Sequence, residues 1–220
     1  MKKVLAVLLF LASGASAQEY HLPFKGRWFV MQAGDTINVN QHMELRAQWY
    51  GMDFAKTGGA SGRELSRAPG AAKEDFYSWD ADVLSPVAGR IIEAVDGLPD
   101  NPLGVKDPAH AAGNHVVIEA GENRWVFIAH LRPGTVKVSP GQNVEAGQPL
   151  GKCGNSGNSD FPHIHMHVQD TPTFNDGNGQ NVTFTGLNAD LSGKIFRQVD
   201  WPLIRGLFVW SGKPYKLSGR

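Results

Sequence analysis

The sequence predicts a mostly β protein: a compact antiparallel sheet core with long loops. Three observations carry that expectation. The apolar runs are short, 26 Gly and 13 Pro are spread among them, and turn signals interrupt them at near-regular intervals. Strands this short and this often broken suit an antiparallel sheet or sandwich better than βαβ units.

The expected strands are residues 28–31, 83–84, 89–95, 115–119, 125–129, 136–138, 163–168 and 182–184. Turns are marked by Pro86 with Gly89, Pro133-Gly134, Pro140-Gly141, Gly147 and Gly154-Asn155. Residues 56–75 are rich in Gly, Ala and Arg without useful periodicity, and 98–113 are rich in Pro and Gly. Both read as long loops, which in a compact domain tend to carry function. Residues 201–209 fit a strand or a short helix, and the sequence does not choose between them.

The amino-terminal end decides the expected compartment. Lys2 and Lys3 precede an apolar run at residues 4–11, and Ala15-Ser16-Ala17 supplies the small residues of a cleavage site. This is the pattern of a signal peptide at 1–17, cut before Gln18. The apolar stretch is too short to span a hydrocarbon core of about 30 Å. Export to the periplasm or the medium is therefore expected, with no transmembrane segment in the mature chain. Taking two lysines from 21 basic residues leaves 19 against 21 acidic. That balance offers no basic face for nucleic acid. Cys153 is the only cysteine in the sequence, so no intramolecular disulfide forms, and its Gly-rich surroundings suggest a buried small residue.

The most informative stretch is Phe161-Pro162-His163-Ile164-His165-Met166-His167-Val168. In a strand, alternate side chains share a face. His163, His165 and His167 would therefore project together while Ile164, Met166 and Val168 enter the core. Residues two apart are separated by about 6.6 Å along a strand. A tetrahedral ion with bonds near 2 Å accepts both neighbours only if the side chains converge. One histidine on a metal and a neighbour aimed at the substrate is a sensible division. A solvent-facing edge strand is the competing reading.

Further ligands must come from elsewhere. Asp53 is flanked by apolar residues in Tyr50-Gly51-Met52-Asp53-Phe54, where burial is costly unless the carboxylate is paired or metal-bound. His42 follows Asn38-Val39-Asn40-Gln41. His130 ends the apolar run Phe127-Ile128-Ala129 just before a turn, a usual place for a catalytic side chain. Taken singly, Asp53 also fits a turn residue and His42 a surface histidine.

Gly154-Asn155-Ser156-Gly157-Asn158-Ser159 leading into Pro162-His163-Ile164-His165 resembles the signature of the LytM/lysostaphin metallopeptidases, peptidase family M23. The agreement extends upstream through Ser85-Pro86-Val87-Ala88-Gly89, Gly113-Asn114-His115-Val116-Val117-Ile118 and Ala129-His130-Leu131. It continues through Pro140-Gly141-Gln142-Asn143-Val144 and Gly147-Gln148-Pro149-Leu150-Gly151. The resemblance covers 40–170, the expected metallopeptidase domain; with the signal peptide at 1–17, this leaves a lead-in strand at 18–39 and a β-rich extension of the same domain at 171–220. The resemblance implies one zinc ion per chain, held by Asp53 and His165, with His130 and His163 as catalytic histidines. The family's usual first metal histidine would fall at Trp49. Members with Asn-x-His further upstream put His42 in that role, and His115 or His167 stand next in line as alternative ligands or supporting partners.

The implied activity is hydrolysis of a peptidoglycan peptide. On that reading zinc would lower the pKa of a bound water to about 7 to make it available for attack on the scissile carbonyl, and His130 and His163 would hydrogen-bond the oxyanion and help protonate the leaving amine. The sequence holds no His-Glu-x-x-His, no Gly-x-Ser-x-Gly elbow and no P-loop. The rival readings are an inactive relative that regulates a wall amidase or binds peptidoglycan, and a metal-binding protein without hydrolysis.

Overall fold

The computed structural model describes residues 18–68 and 72–212. The expected signal peptide at 1–17 lies outside the described residues. Twelve strands form among those described. In chain order they are β1 (Trp28–Gln32), β2 (Met52–Lys56), β3 (Asp82–Leu84), β4 (Gly89–Val95), β5 (Asn114–Glu119) and β6 (Trp125–Leu131). They continue with β7 (Asn143–Val144), β8 (Pro149–Lys152), β9 (Ile164–Gln169), β10 (Phe184–Leu191), β11 (Lys194–Trp201) and β12 (Phe208–Ser211). Ten of them make one antiparallel sheet in the order β11-β10-β12-β1-β2-β9-β6-β5-β4-β7, and β3 pairs with β8 in a small second sheet. The mostly β expectation holds.

The histidine-bearing strand β9 lies inside the sheet, between β2 and β6. His163, His165 and His167 are all buried, so the edge-strand reading is wrong. The reason is the flanking apolar register. Met166 and Ile164 pair with Met52 and Phe54 on one side, and Met166 and Val168 pair with Ile128 and Val126 on the other. A strand apolar on one face and bordered by apolar partners gains most from a central position. Beneath the site, Phe54 is fully buried and meets Phe24 edge-on at 5.1 Å.

Several expected elements are corrected. Residues 136–138 are not a strand: the Lys137 N–H donates a single backbone bond to Leu150 O, and the segment is irregular up to the turn at 140–141. The strand expected at 182–184 begins at Phe184 and runs to Leu191. Residues 201–209 are neither one strand nor a helix, because Pro202 and a turn at 205–206 separate the end of β11 from the start of β12. β2 and the long hairpin of β10 and β11 were not foreseen. β11 is largely exposed, so it lacks the apolar alternation that marks a half-buried strand. Cys153 is buried, as its context suggested. No helix among the described residues is long and apolar enough to cross a membrane.

The sheet's stability beneath the site can be measured. Phe54→Ala removes a fully buried ring from the β2–β9 seam and is expected to cost about 3–5 kcal/mol in urea unfolding.

Candidate metal centre and its catalytic groove

Register brings the acidic residue to the histidines. Asp53 on β2 stands directly opposite His165 on β9, and Ala129 on β6 stands opposite His165 on its other side. Directly opposed residues share a sheet face with Cβ atoms about 5 Å apart. Asp53 Oδ1 lies 3.0 Å from His165 Nδ1 and 3.6 Å from His163 Nε2.

His42 arrives from a different kind of element. It sits on a short 3-10 turn (Gln41–Glu44) whose cap, Asn40, accepts the His42 N–H through Oδ1 at 3.2 Å. The Asn40 amide donates to the carbonyls of Gly34 and Gly51, so a fully buried side chain ties three loop segments together. Gly51 leaves room for the imidazole: a Cβ there would stand 3.0 Å from His42 Cγ and 2.9 Å from Gln48 O. His42 Nε2 ends 3.0 Å from Asp53 Oδ2, and it is a buried atom with no well-directed hydrogen bond. One ligand atom each from His42, Asp53 and His165 lies within 4.8 Å of the others, a set that can hold a metal ion.

The protonation pattern fits a cation at the same point. Gln169 Nε2 donates to the backbone carbonyls of Thr171 and Thr173, which turns its Oε1 toward His167 Nε2 at 3.2 Å. An amide oxygen only accepts, so His167 carries its proton on Nε2 and a neutral ring is bare at Nδ1. That Nδ1 lies 2.8 Å from His165 Nε2, which must then be the donor. His165 Nδ1 is left with a lone pair facing a carboxylate oxygen at 3.0 Å. Two acceptors at that separation are reconciled by a proton or a metal cation between them. The two nitrogens and one carboxylate oxygen are a zinc-type donor set, with a neighbour that orients the ligating imidazole. His167 also stacks on Phe127 at 4.6 Å, almost parallel.

His130 reaches the groove through an irregularity. Asn114 pairs with Leu131 and Val116 with Ile128, so Ala129 and His130 together oppose His115 alone. Such a bulge bends the strand and re-aims a side chain. His130 takes φ 63°, and this backbone turn swings its ring to the face where Ala129 already points. The ring centroids of His130 and His163 are 4.8 Å apart. His130 Nδ1 donates to Ser156 O at 2.9 Å and His163 Nδ1 donates to Phe161 O at 2.8 Å. Carbonyl acceptors fix both rings with Nε2 as the working atom. A groove of about 630 Å³ runs past His42, Asp53, His165, His130 and His163.

Burial and charge divide the titrating groups. Burial alone would lift the Asp53 carboxyl, but His42 and His163 beside it hold it well below the usual carboxylate range. Burial opposes protonation of His42 and His163, yet the Asp53 carboxylate outweighs it and raises both. Burial dominates at the others: His130 and His167 are pushed well below the usual histidine value, and His165 is lowered to about 4.

The structure thus brings His42, Asp53, His165, His130 and His163 to one groove. His167 lies behind His165, and His115 lies apart, its Nδ1 on Gly113 O. Trp49 is partly exposed with its indole N–H on Met43 O. Sequence reading missed Gln169 as the residue that orients the imidazole chain. Its place two residues after His167 on the same strand face was the available signal.

Among known protein families, the Peptidase family M23 model matches residues 76–183. That span contains His130, His163 and His165, whereas His42 and Asp53 precede it. An endolysin of Staphylococcus phage 2638A is 31% identical over 100 residues, covering 44% of this chain and 18% of the endolysin. The peptidoglycan DD-endopeptidase ShyA of Vibrio cholerae serotype O1 is 27% identical over 153 residues, covering 63% of this chain and 35% of that protein. The chain thus spans about a third or less of the length of these relatives. The catalytic domain of lysostaphin from Staphylococcus simulans is 19% identical, with 71% of this chain and 87% of that chain covered, at a TM-score of 0.41.

Two outcomes follow from this geometry. Gln169→Leu frees His167 to turn over its tautomer, so metal affinity measured by competition with a chromophoric chelator should fall about 10–100-fold. The metal-free protein should lose stability as pH falls from 6.5 toward 4. In that window the unfolded chain protonates the histidines at 130, 165 and 167, while the folded chain keeps them neutral. His42 and His163 have raised values, so their contribution is fully present below 6.5. That of Asp53, whose value is depressed, persists above 3.8. A melting temperature that stays flat across the window would contradict this assignment.

Proposed function

This chain belongs to peptidase family M23, and from that premise we propose that it is an exported zinc-dependent endopeptidase that hydrolyses peptide bonds of bacterial peptidoglycan. The observation that carries the reading is the meeting of His42, Asp53 and His165 around one point, with His130 and His163 beside it, their Nδ1 atoms held on backbone carbonyls. The relatives named as an endolysin and a peptidoglycan DD-endopeptidase support a cell-wall peptide as substrate. Export rests on the leader pattern at 1–17. The catalytic domain is assigned to 40–170, with 171–220 as its extension.

In this scheme His42, Asp53 and His165 hold zinc, which when bound supplies Lewis acidity and an activated water. Every other duty falls to the chain. Asp53 lends the only carboxylate of the ligand set, leaving the centre with net positive charge. The Nδ1–H groups of His130 and His163 stay on backbone carbonyls, so each ring offers Nε2 alone to the groove. There His163, whose raised value lets it carry a second proton on Nε2, hydrogen-bonds the oxygen that gains charge. His130, neutral with its Nε2 bare, takes the proton that the water gives up and passes it to the departing amine. Such contributions are typically worth 10²–10⁴-fold in rate. Burial around them strengthens those bonds by lowering the local dielectric. His167 and Gln169 keep the His165 lone pair aimed at the ion.

Digestion of purified sacculi, coupled to metal analysis, tests the reading. Wild type should carry about one zinc and release muropeptides. His163→Ala should keep zinc and lose at least about 100-fold in rate. Asp53→Ala should lose zinc itself. Zinc-loaded wild type that leaves sacculi and wall peptides intact would replace the enzyme with a binding or regulatory module, and loss of zinc from the His163 variant would overturn the division of labour along β9.

A further inference from the structure

A second cavity of about 470 Å³ opens beside the groove and shares Ala111, Ala112 and Phe174 with it. The two form one trough, because Ala112 O accepts the His130 N–H at 3.1 Å and so lies at the shoulder of the catalytic histidine. The sheet register extends the same face outward. His167 pairs with Phe127, Phe127 with Val117, and Val117 with Glu93, so Glu93 on β4 faces the side that carries the histidines. Four strands at about 4.8 Å spacing put Glu93 roughly 14 Å from β9.

The distal end of this trough is short of a donor. His115 Nδ1 is 2.7 Å from Gly113 O, and a carbonyl only accepts, so that nitrogen carries the proton. A neutral ring then presents a bare Nε2, which lies 3.7 Å from Glu93 Oε1. Two acceptors at this distance are too far apart to bond each other, yet close enough to share one donor at about 2.8–2.9 Å from both. Phe174 stands beside His115 with ring centroids 6.4 Å apart, and an aromatic wall favours a cation over a neutral donor. The His110 imidazole in the same cavity is already turned to Asp107 and adds no competing free cation.

The geometry points to a substrate subsite for a primary ammonium group, formed by Glu93, His115 and Phe174. It rests on the reading of the groove as a peptidase site. The subsite would select peptides with a free amine about four extended residues from the cut bond, at about 3.4 Å per residue; a long side chain shortens that count. The amine can come from a diamino side chain or from a free peptide amino terminus.

Four fluorogenic peptides of one wall-type sequence distinguish these sources. One has both amines free, one the side-chain amine acetylated, one the amino terminus acetylated, and one both blocked. Wild type should lose about tenfold or more in kcat/KM, mainly through KM, when the recognised amine is blocked. Glu93→Gln should lose the same factor on the free peptide and nothing on the blocked one. Glu93 is half exposed, so the variant should fold, and an unchanged melting temperature checks that. Equal effects of Glu93→Gln on free and blocked peptides, or indifference of wild type to acetylation, would overturn the subsite. If wild type cleaves none of the peptides, the peptidase reading fails first. Calorimetric binding of the same four peptides to wild type and Glu93→Gln then decides the subsite on its own, with amine-dependent binding lost in the variant as support and amine-independent binding as refutation.

Discussion

A buried carboxylate held against an imidazole in the middle of a sheet is the constraint from which the rest follows. Asp53 is almost wholly buried, and a charge in such a place persists only with compensation. Pairing of β2 with β9 makes its neighbours histidines, and the Asn40-capped turn adds another from outside the sheet. The hydrogen-bond chain from Gln169 then leaves His165 Nδ1 without a proton to offer Asp53. His42 and His163 compensate the charge in the metal-free protein, and a cation at the His165 lone pair can take over that task. Fold and chemistry are linked here because β9, which helps bury the acid, also presents one of the donors that, with it, could hold a metal ion.

The His130 side of the groove depends on a departure from regular strand geometry. Perfect alternation would turn His130 away from Ala129 and into the layer behind the sheet. The bulge opposite His115 supplies the missing half-turn at the expense of a left-handed backbone at a non-glycine residue, a conformation histidine tolerates better than most residues. Strain of this kind gathers at functional sites. The same bulge lies opposite His115, which lines the neighbouring cavity, so one local irregularity borders both the groove and the wall beyond it.

Much of this was legible from residue order. Three histidines alternating with Ile164, Met166 and Val168 announced a strand with one polar and one apolar face. The Gly- and Pro-bounded runs announced β4, β5 and β6 within one or two residues. What stayed hidden is instructive. β2 escaped notice because Asp53 interrupts its apolar run, the very feature that brings it into the candidate metal site. The position of β9 inside the sheet needed knowledge of its partners, which no single strand carries. His42 could be nominated through the nearby asparagine, but its approach to Asp53 depends on Asn40, Gly34 and Gly51 closing a loop. Gln169 and the Glu93–His115 pair emerge only from register and hydrogen-bond direction. β10, β11 and β12 extend the sheet beyond residue 183, where the family match ends.

The central claim is that one ion sits among His42, Asp53 and His165. A crystal structure of zinc-loaded protein, with anomalous scattering at the zinc edge, tests it most directly. The account predicts a single peak within about 2.0–2.1 Å of His42 Nε2 and His165 Nδ1 and about 2.0–2.2 Å of an Asp53 oxygen. A peak ligated instead by His167 or His115, or a His42 ring turned away from Asp53, would contradict it.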